Sequence, residues 1–163
     1  MPEQLSSPAP TYARISMTAP ISRKLLEHNV LMTIRLNEVF GEMIAHQTNF
    51  RDGDSVFTRF STLHRQGHDA IILDATLEIT KSQLPKGFLD DLQRTDILFG
   101  QLLMNYDIQV NMSERTTYYT ACAETGKTRW GRQLRMLHAE NGNTLATINE
   151  LLVPEDMLKR IIP

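Results

Sequence analysis

The stretch that decides the fold reads RWGRQLRMLHAENGNTLATINELLV and covers residues 129–153. Two runs of strand-forming residues flank ENGN at 140–143, and an Asn-Gly pair supplies the positive φ values that tight turns need. The stretch therefore predicts an antiparallel hairpin. With a period of two, Ala146, Ile148 and Glu150 share one face of the second strand. An unpaired buried charge is costly, so we expect Glu150 to be exposed, paired, neutralised by a proton or reserved for a polar ligand.

Length and composition indicate one soluble domain. The 163-residue chain is 41% hydrophobic and 22% charged, which is enough to bury a core without disulfides or a metal. Its formal net charge of −2 gives no electrostatic support for nucleic-acid binding. Cys122 is the only cysteine, which excludes a disulfide framework and a thiolate metal cluster and favours a reducing cytoplasmic compartment. The histidines show no metal-ligand pattern, and we interpret them as surface loop residues: His28, His46, His64, His68 and His138.

The N-terminal segment MPEQLSSPAPTYARISMTAP has proline, serine and glutamate where a secretory signal would have a continuous apolar core. We expect residues 1–19 to form a partly ordered lead-in and the protein to reside in the cytoplasm. No window approaches the ~18 apolar residues needed to cross a bilayer, so we expect no membrane association.

The first half of the chain predicts one helix and one hairpin. In ISRKLLEHNVLMTIRLNEVFGEMIAHQ the apolar residues recur at helical spacing and predict a single amphipathic helix that begins near Thr33, with Met32 just outside it. The residues with this spacing are Leu36, Val39, Phe40, Met43 and Ile44. Two strands follow, SVFTRFSTL at 55–63 and AIILDATLEIT at 70–80, and the turn signal RQGHD between them predicts a second hairpin.

The remaining segments complete an α+β fold. Short helices are predicted around 88–92 and 98–104, with Thr95 and Asp96 as N-cap candidates for the second. DIQVNMSERTTYYTACAE predicts a long or bulged strand, and PEDMLKRIIP a short C-terminal helix. The whole chain, 1–163, is therefore predicted to be a single domain with a mostly antiparallel sheet and helices at the N-terminus and between strands.

Arg59 shares the peculiarity of Glu150, because period two places it on the same strand face as Phe57 and Leu63. The two charges could form a buried ion pair, or each could lie at an edge and extend its charged end to water. Alternatively, they could line a cavity in which Arg59 grips an anionic ligand and Glu150 handles a proton or a hydroxyl.

Four segments, in order along the chain from about residue 20, resemble one protein family. LLEHNVLMTIRLNEVF resembles a helix entry that lines a ligand pocket, which gives Met32 and Thr33 that role. RFSTLHRQG is similar to a strand with a carboxylate-binding arginine, here Arg59. LQRTDILFGQLL resembles a helix start that meets the ligand through its backbone, here at Phe99 and Gly100.

The fourth segment, WGRQLRMLHAENGNTLATINELLVPE, resembles a closing hairpin with a glutamate just before LLVP, and Glu150 takes that position. Together the segments resemble the chorismate pyruvate-lyase (4-hydroxybenzoate synthetase) family, in its divergent branch. The resemblance implies a chorismate-lyase-like fold. It also implies a cofactor-independent carbon–oxygen lyase that eliminates pyruvate from chorismate and leaves 4-hydroxybenzoate in an enclosed pocket.

The resemblance also assigns roles to individual residues. Arg59 and Glu150 would be catalytic, and Glu150 could be an acid–base residue or only a hydrogen-bond partner of the ring hydroxyl. The substrate-binding set would be Met32, Thr33, Arg59, Phe99, Gly100 and Arg132. No metal or cofactor is implied, and the partner is a small aromatic-acid precursor, whose product could enter ubiquinone or secondary-metabolite synthesis; the oligomeric state stays open.

The sequence departs from the family pattern at two places. Family members commonly have proline and then isoleucine or leucine before the glycine, where this chain has Leu98 and Phe99. A Gly-Arg pair of the bacterial branch is replaced around Ala75, so that Arg132 could supply the second cationic contact or could instead be an exposed edge arginine. Two alternatives therefore stay open: an enzyme for another chorismate-like or hydroxybenzoate-like acid in a specialised pathway, and a non-catalytic aromatic-acid-binding module.

Overall fold

A computed structural model describes residues 9–94 and 96–163. Within these ranges the chain forms a seven-stranded antiparallel sheet and five α-helices, so the predicted α+β class is confirmed. The strands are β1 (Thr11–Tyr12), β2 (Met43–Asp52), β3 (Val56–Arg65), β4 (Ile71–Thr80), β5 (Val110–Ala121), β6 (Thr128–His138) and β7 (Thr144–Leu152). The helices are α1 (Pro20–Leu26), α2 (Met32–Phe40), α3 (Phe88–Arg94), α4 (Phe99–Asn105) and α5 (Glu155–Ile161). None of them has the length and apolarity that a membrane crossing requires.

The strands are ordered β1-β5-β6-β7-β4-β3-β2, and every neighbouring pair is antiparallel. Alternate residues of β3, β4, β6 and β7 are buried, and these pack against the buried side chains of the helices in two apolar clusters. One cluster contains residues of α1, α2 and α5, and the other contains residues of α3 and α4. One face of the sheet therefore carries the helices and the core, as period-two patterning requires.

Both predicted hairpins are present. β6 and β7 pair in antiparallel register on either side of the ENGN turn, where Gly142 adopts a φ of 72°. β3 and β4 pair across the RQGHD turn. The long strand β5 is bulged between Ser113 and Thr116, as predicted, and Glu114 adopts a φ of 55° at the bulge.

The predicted single helix through Ile44 is wrong. Two helices, α1 and α2, occupy that region, and Gly41, with a φ of 87°, follows the end of α2. Met43 and Ile44 begin strand β2, which was not predicted. Met32 is the first residue of α2 rather than a residue outside it. The helical spacing of Met43 is coincidental: its side chain is buried in the core from a strand.

Three smaller expectations also need correction or placement. Asp96 does not cap α4, because Leu98 is the residue that precedes the helix and no side chain caps it; Thr95 lies outside the described residues. The prediction of surface loop histidines is wrong for four of the five: His28 is buried, and three lie in strands, His46 in β2, His64 in β3 and His138 in β6. Of the expected lead-in, Thr11 and Tyr12 pair with β5, and residues 1–8 lie outside the described ranges.

Candidate functional site

A cavity of about 50 Å³ lies between the sheet and the starts of helices α2 and α4. This volume is below the roughly 300–1,000 Å³ of typical small-molecule sites, so a ring-sized ligand enters only when lining side chains move apart. The lining comes from both apolar clusters and contains three ionisable side chains among the described residues. The lining residues are Leu31, Met32, Thr33, Ala45, Arg59, Ser61, Leu63, Ala75, Leu77, Leu98, Phe99, Gly100, Met112, Arg132, Met136, Ile148 and Glu150. Every residue that the sequence proposed for a site therefore lies around this one cavity.

The sheet register determines the floor of the cavity. Ser61, Ala75, Glu150 and Arg132 lie opposite one another on four adjacent strands, β3, β4, β7 and β6. The methyl side chain of Ala75 leaves open space in the middle of this row. Arg59 lies one row further along β3. With strands about 4.8 Å apart and about 3.3 Å per residue, the α-carbons of Arg59 and Glu150 are separated by roughly 12 Å.

Arg59 is a buried cation whose donors are not all satisfied. Its side chain is 1% exposed, and neither its Nε nor its Nη2 has a hydrogen-bond acceptor among the described residues. Burial lowers the pKa of Arg59 to about 10, and the carboxylate of Asp96 opposes that shift. The guanidinium therefore stays charged at neutral pH, with two donors that no acceptor in the described residues satisfies. Such a group is ready to bind an anion, and a carboxylate matches its planar fork.

Glu150 forms an ion pair with Arg132, not with Arg59. The Nε of Arg132 donates to Oε1 of Glu150 at 2.7 Å, and the two side chains are 1% and 8% exposed. The buried ion pair considered for Arg59 and Glu150 is thus absent from the described residues, and Arg132 is not an exposed edge residue. The β6–β7 register explains why Glu150 pairs with Arg132, because it places the two residues directly opposite each other.

His28 supports this pair from the loop between α1 and α2. Its backbone oxygen accepts a hydrogen bond from Nη1 of Arg132 at 3.0 Å. Its ring lies 2.5 Å from the Leu25 oxygen through Nε2, and Nδ1 accepts from the Val30 N–H at 3.2 Å, which assigns the proton to Nε2. Burial, together with the charge of Arg132, lowers the pKa of His28 to about 4, so the ring is neutral. Sequence periodicity gave no signal for this role.

The starts of α2 and α4 form the roof of the cavity. A Cβ atom at Gly100 would lie 2.5 Å from Oγ1 of Thr33, so the absence of a side chain there lets the two helices approach each other. Phe99 packs edge-on against Phe88, with ring centroids 5.8 Å apart. Gly100 therefore has a packing role between α2 and α4, and it also lines the cavity.

Sequence reasoning missed several wall residues. Ser61 and Leu63 lie on the predicted face of β3 with Arg59, so the face test held a signal for them. Met112 and Met136 add flexible apolar side chains that adapt to a ligand's shape. No group of three or more His, Cys, Asp or Glu side chains in the described ranges is arranged to hold a metal ion.

Comparison with family models and with curated proteins identifies no relative of this chain. No family model matches the chain, and no curated protein is significantly similar to it. The functional argument therefore rests on the residues and geometry of the cavity.

Proposed function

We propose that the protein is a chorismate lyase, which eliminates pyruvate from chorismate and leaves 4-hydroxybenzoate. One observation carries the proposal: the buried Arg59 guanidinium lines the cavity with two unpartnered donors, and the cavity's ion-paired carboxylate, Glu150, lies across the floor. A ring acid with a carboxylate at one end and a hydroxyl at the other would satisfy both groups.

The reaction requires few functional groups from the protein. The ring carbon that bears the hydroxyl loses its hydrogen as a proton, and the adjacent carbon–oxygen bond to the enolpyruvyl group breaks. The released enolpyruvate gains a proton on its methylene carbon and becomes pyruvate, while the ring becomes aromatic. Atoms and charges balance without an oxidant or reductant.

The cavity residues would divide this work. Arg59 would bind the ring carboxylate through its fork, which fixes the ring in the cavity. Glu150 is the one carboxylate among the described lining residues, and it would accept the hydrogen bond of the ring hydroxyl and lie closest to the proton that leaves the same carbon. The aliphatic and methionine walls would exclude water. An aromatic acid enclosed in this way leaves slowly, so we expect product release to limit turnover.

The test is to mix the protein with chorismate and to measure pyruvate and 4-hydroxybenzoate. We expect the two products in equal amounts. Arg59→Met should abolish activity, because methionine fills similar volume without a charge, and Glu150→Gln should lower turnover while the fold is kept. Arg51→Gln is the control. Arg51 lies on strand β2, over the ring of Phe60, and does not line the cavity.

Two results would contradict the proposal. Full activity in both the Arg59 and the Glu150 variants would remove the site assignment. Absence of pyruvate, together with tight binding of hydroxybenzoates, would indicate a binding module or an enzyme for a different aromatic acid.

A further inference from the structure

Arg132 connects the floor of the cavity to its roof. It projects from β6 with a side chain 1% exposed. Its Nε donates to Glu150 at 2.7 Å, and its Nη1 donates to the backbone oxygen of His28 at 3.0 Å. Because the guanidinium is planar and rigid, two acceptors in different directions fix both its position and its orientation. The carboxylate of Glu150 is fixed in turn.

The loop that receives Arg132 is itself held in place. The His28 ring bonds the backbone at Leu25 and Val30, on either side of the turn between α1 and α2. Arg115 of the bulged strand β5 donates to the Asn29 side chain at 3.0 Å and to the Leu26 oxygen at 3.3 Å. Arg132 is therefore anchored on a loop that is bonded to α1 and to β5.

The charged residues of the cavity have different roles. Arg132 and Glu150 compensate each other, so Arg59 is the one lining charge in the described residues that forms no ion pair. Oxygen Oε1 of Glu150 is used by Arg132, and no described residue donates to Oε2. Arg59 therefore remains as a cation for a ligand carboxylate. Oε2 of Glu150 remains as an acceptor for a ligand donor.

We infer that Arg132 is a positioning residue, not a second substrate carboxylate contact. It holds Glu150 as a charged acceptor whose free oxygen meets the ring hydroxyl of the ligand. This inference rests on the proposed function for the orientation of the ligand, with its carboxylate on Arg59. The ligand class that follows is a ring carboxylate with a hydroxyl at the far end, the ring carboxylate recognised by one cation and the hydroxyl by one held anion.

The test compares 4-hydroxybenzoate with benzoate, which lacks only the hydroxyl, by titration calorimetry. A hydrogen bond to a charged group predicts that the wild type prefers 4-hydroxybenzoate by roughly 10- to 100-fold. Arg132→Gln should reduce that preference to within about threefold and leave benzoate affinity within about threefold, since Arg59 still binds the carboxylate. Arg132→Lys keeps the charge but cannot satisfy both acceptors in the same geometry, so its preference should be intermediate.

Arg135→Gln is the matched control, because Arg135 lies on β6 on the opposite face and contacts Glu114 at 3.2 Å at the surface. It should keep the full preference. If Arg132→Gln fails to fold, the double variant Arg132→Gln, Glu150→Gln removes both buried charges and gives the answer. Its preference should equal that of Glu150→Gln alone, since Arg132 acts through Glu150.

The inference is overturned if Arg132→Gln keeps the wild-type preference, or if it loses benzoate as well, which would make Arg132 a carboxylate contact. A double variant with weaker benzoate binding than Glu150→Gln would overturn it for the same reason. Wild-type protein that binds neither acid would overturn it together with the proposed function. Pyruvate release is measured separately, so a protein that releases none but shows the hydroxyl preference would contradict only the lyase proposal.

Discussion

Single residues in the cavity differ in how their buried charge is compensated. Glu150 has Arg132 as a partner at 2.7 Å, whereas Arg59 has none in the described ranges. A buried donor without an acceptor costs about 1–3 kcal/mol. The folded protein thus retains an unfavourable arrangement that an anionic ligand would relieve, which is the expected compromise between stability and function at a binding site.

The buried ring of His28 makes stability depend on pH. Its pKa is about 4 in the folded protein and ordinary, near 6.5, in the unfolded chain. Between these values the unfolded chain binds a proton that the folded protein does not, so the free energy of unfolding falls as pH decreases from about 6.5 toward 4. We expect His28 to account for about 2 kcal/mol of that fall, after allowance for solvent screening. Urea unfolding of wild type and His28→Gln at pH 7.5, 5.5 and 4.5 measures it.

The advantage of the wild type over His28→Gln should therefore shrink as pH falls, because glutamine takes up no proton. His46→Gln, at an exposed position of β2, should run parallel to the wild type. Parallel profiles for the His28 variant and the wild type would mean that His28 is not the group that titrates.

The sequence allowed prediction of some of these residues and not of others. Period two on β3 and β7 placed Arg59 and Glu150 on inward faces, because a strand's facing depends only on local spacing. The partner of Glu150 depends on strand order, which comes from long-range pairing: β6 lies next to β7, whereas β4 separates β7 from β3. The strand spacing alone could not show that Arg132, not Arg59, pairs with Glu150.

Among the elements, the hairpins were predictable and the α2–β2 boundary was not. Asn-Gly at 141–142 fixes the β6–β7 turn by local conformational preference. Met43 and Ile44 continue the helical spacing of Leu36 and Phe40, so periodicity cannot separate the end of α2 from the start of β2. Gly41 contained the missing signal, since glycine with positive φ commonly follows the last residue of a helix.

The contact between α2 and α4 gives a prediction at this scale. Gly100→Ala places a Cβ atom 2.5 Å from Oγ1 of the buried Thr33. Alanine gains up to about 1 kcal/mol over glycine in helix propensity, but overpacking costs about 1–3 kcal/mol. We expect a net loss of about 1–2 kcal/mol in the free energy of unfolding, measured by urea denaturation.

Adding Thr33→Ala should recover part of that loss, because the hydroxyl that meets the new methyl is gone. Thr33→Ser is the matched control: it keeps Oγ1 and should recover less. Met104→Ala, at a position of α4 that is 41% exposed, should change stability little. If the losses from Gly100→Ala and Thr33→Ala simply add, the two helix starts do not press on each other at this point.

For the whole molecule, the cavity divides the core. Its lining takes Leu63 and Leu98 from one apolar cluster and Leu77 and Ile148 from the other. The sheet is continuous beneath both clusters, whereas the packing above it is interrupted by this narrow cavity, which a bound ligand would widen. A ligand that fills the space would join the sheet and the helical roof, and so should stabilise the entire fold.

Arg59→Met tests this coupling of ligand binding to global stability. Without ligand, the variant should melt a few degrees above the wild type, because an unpartnered buried cation is replaced by an apolar side chain. With 4-hydroxybenzoate at about 100 times its Kd, the wild type should gain about 2.7 kcal/mol, while the variant should gain almost nothing. Calorimetric melting curves with and without the acid measure both effects.

Arg59→Met should raise the ligand-free melting temperature but remove the stability gained from the ligand. This combination distinguishes a binding role for Arg59 from a structural one. A structural arginine would lower the melting temperature when removed, in the presence or absence of the acid. Arg51→Gln, which changes a surface arginine on the neighbouring strand, should leave both the ligand-free melting temperature and the ligand-induced rise as in the wild type. A variant Arg59→Met that still gains stability from 4-hydroxybenzoate would show that the acid binds elsewhere, because the cavity's unpartnered cation is then not its anchor.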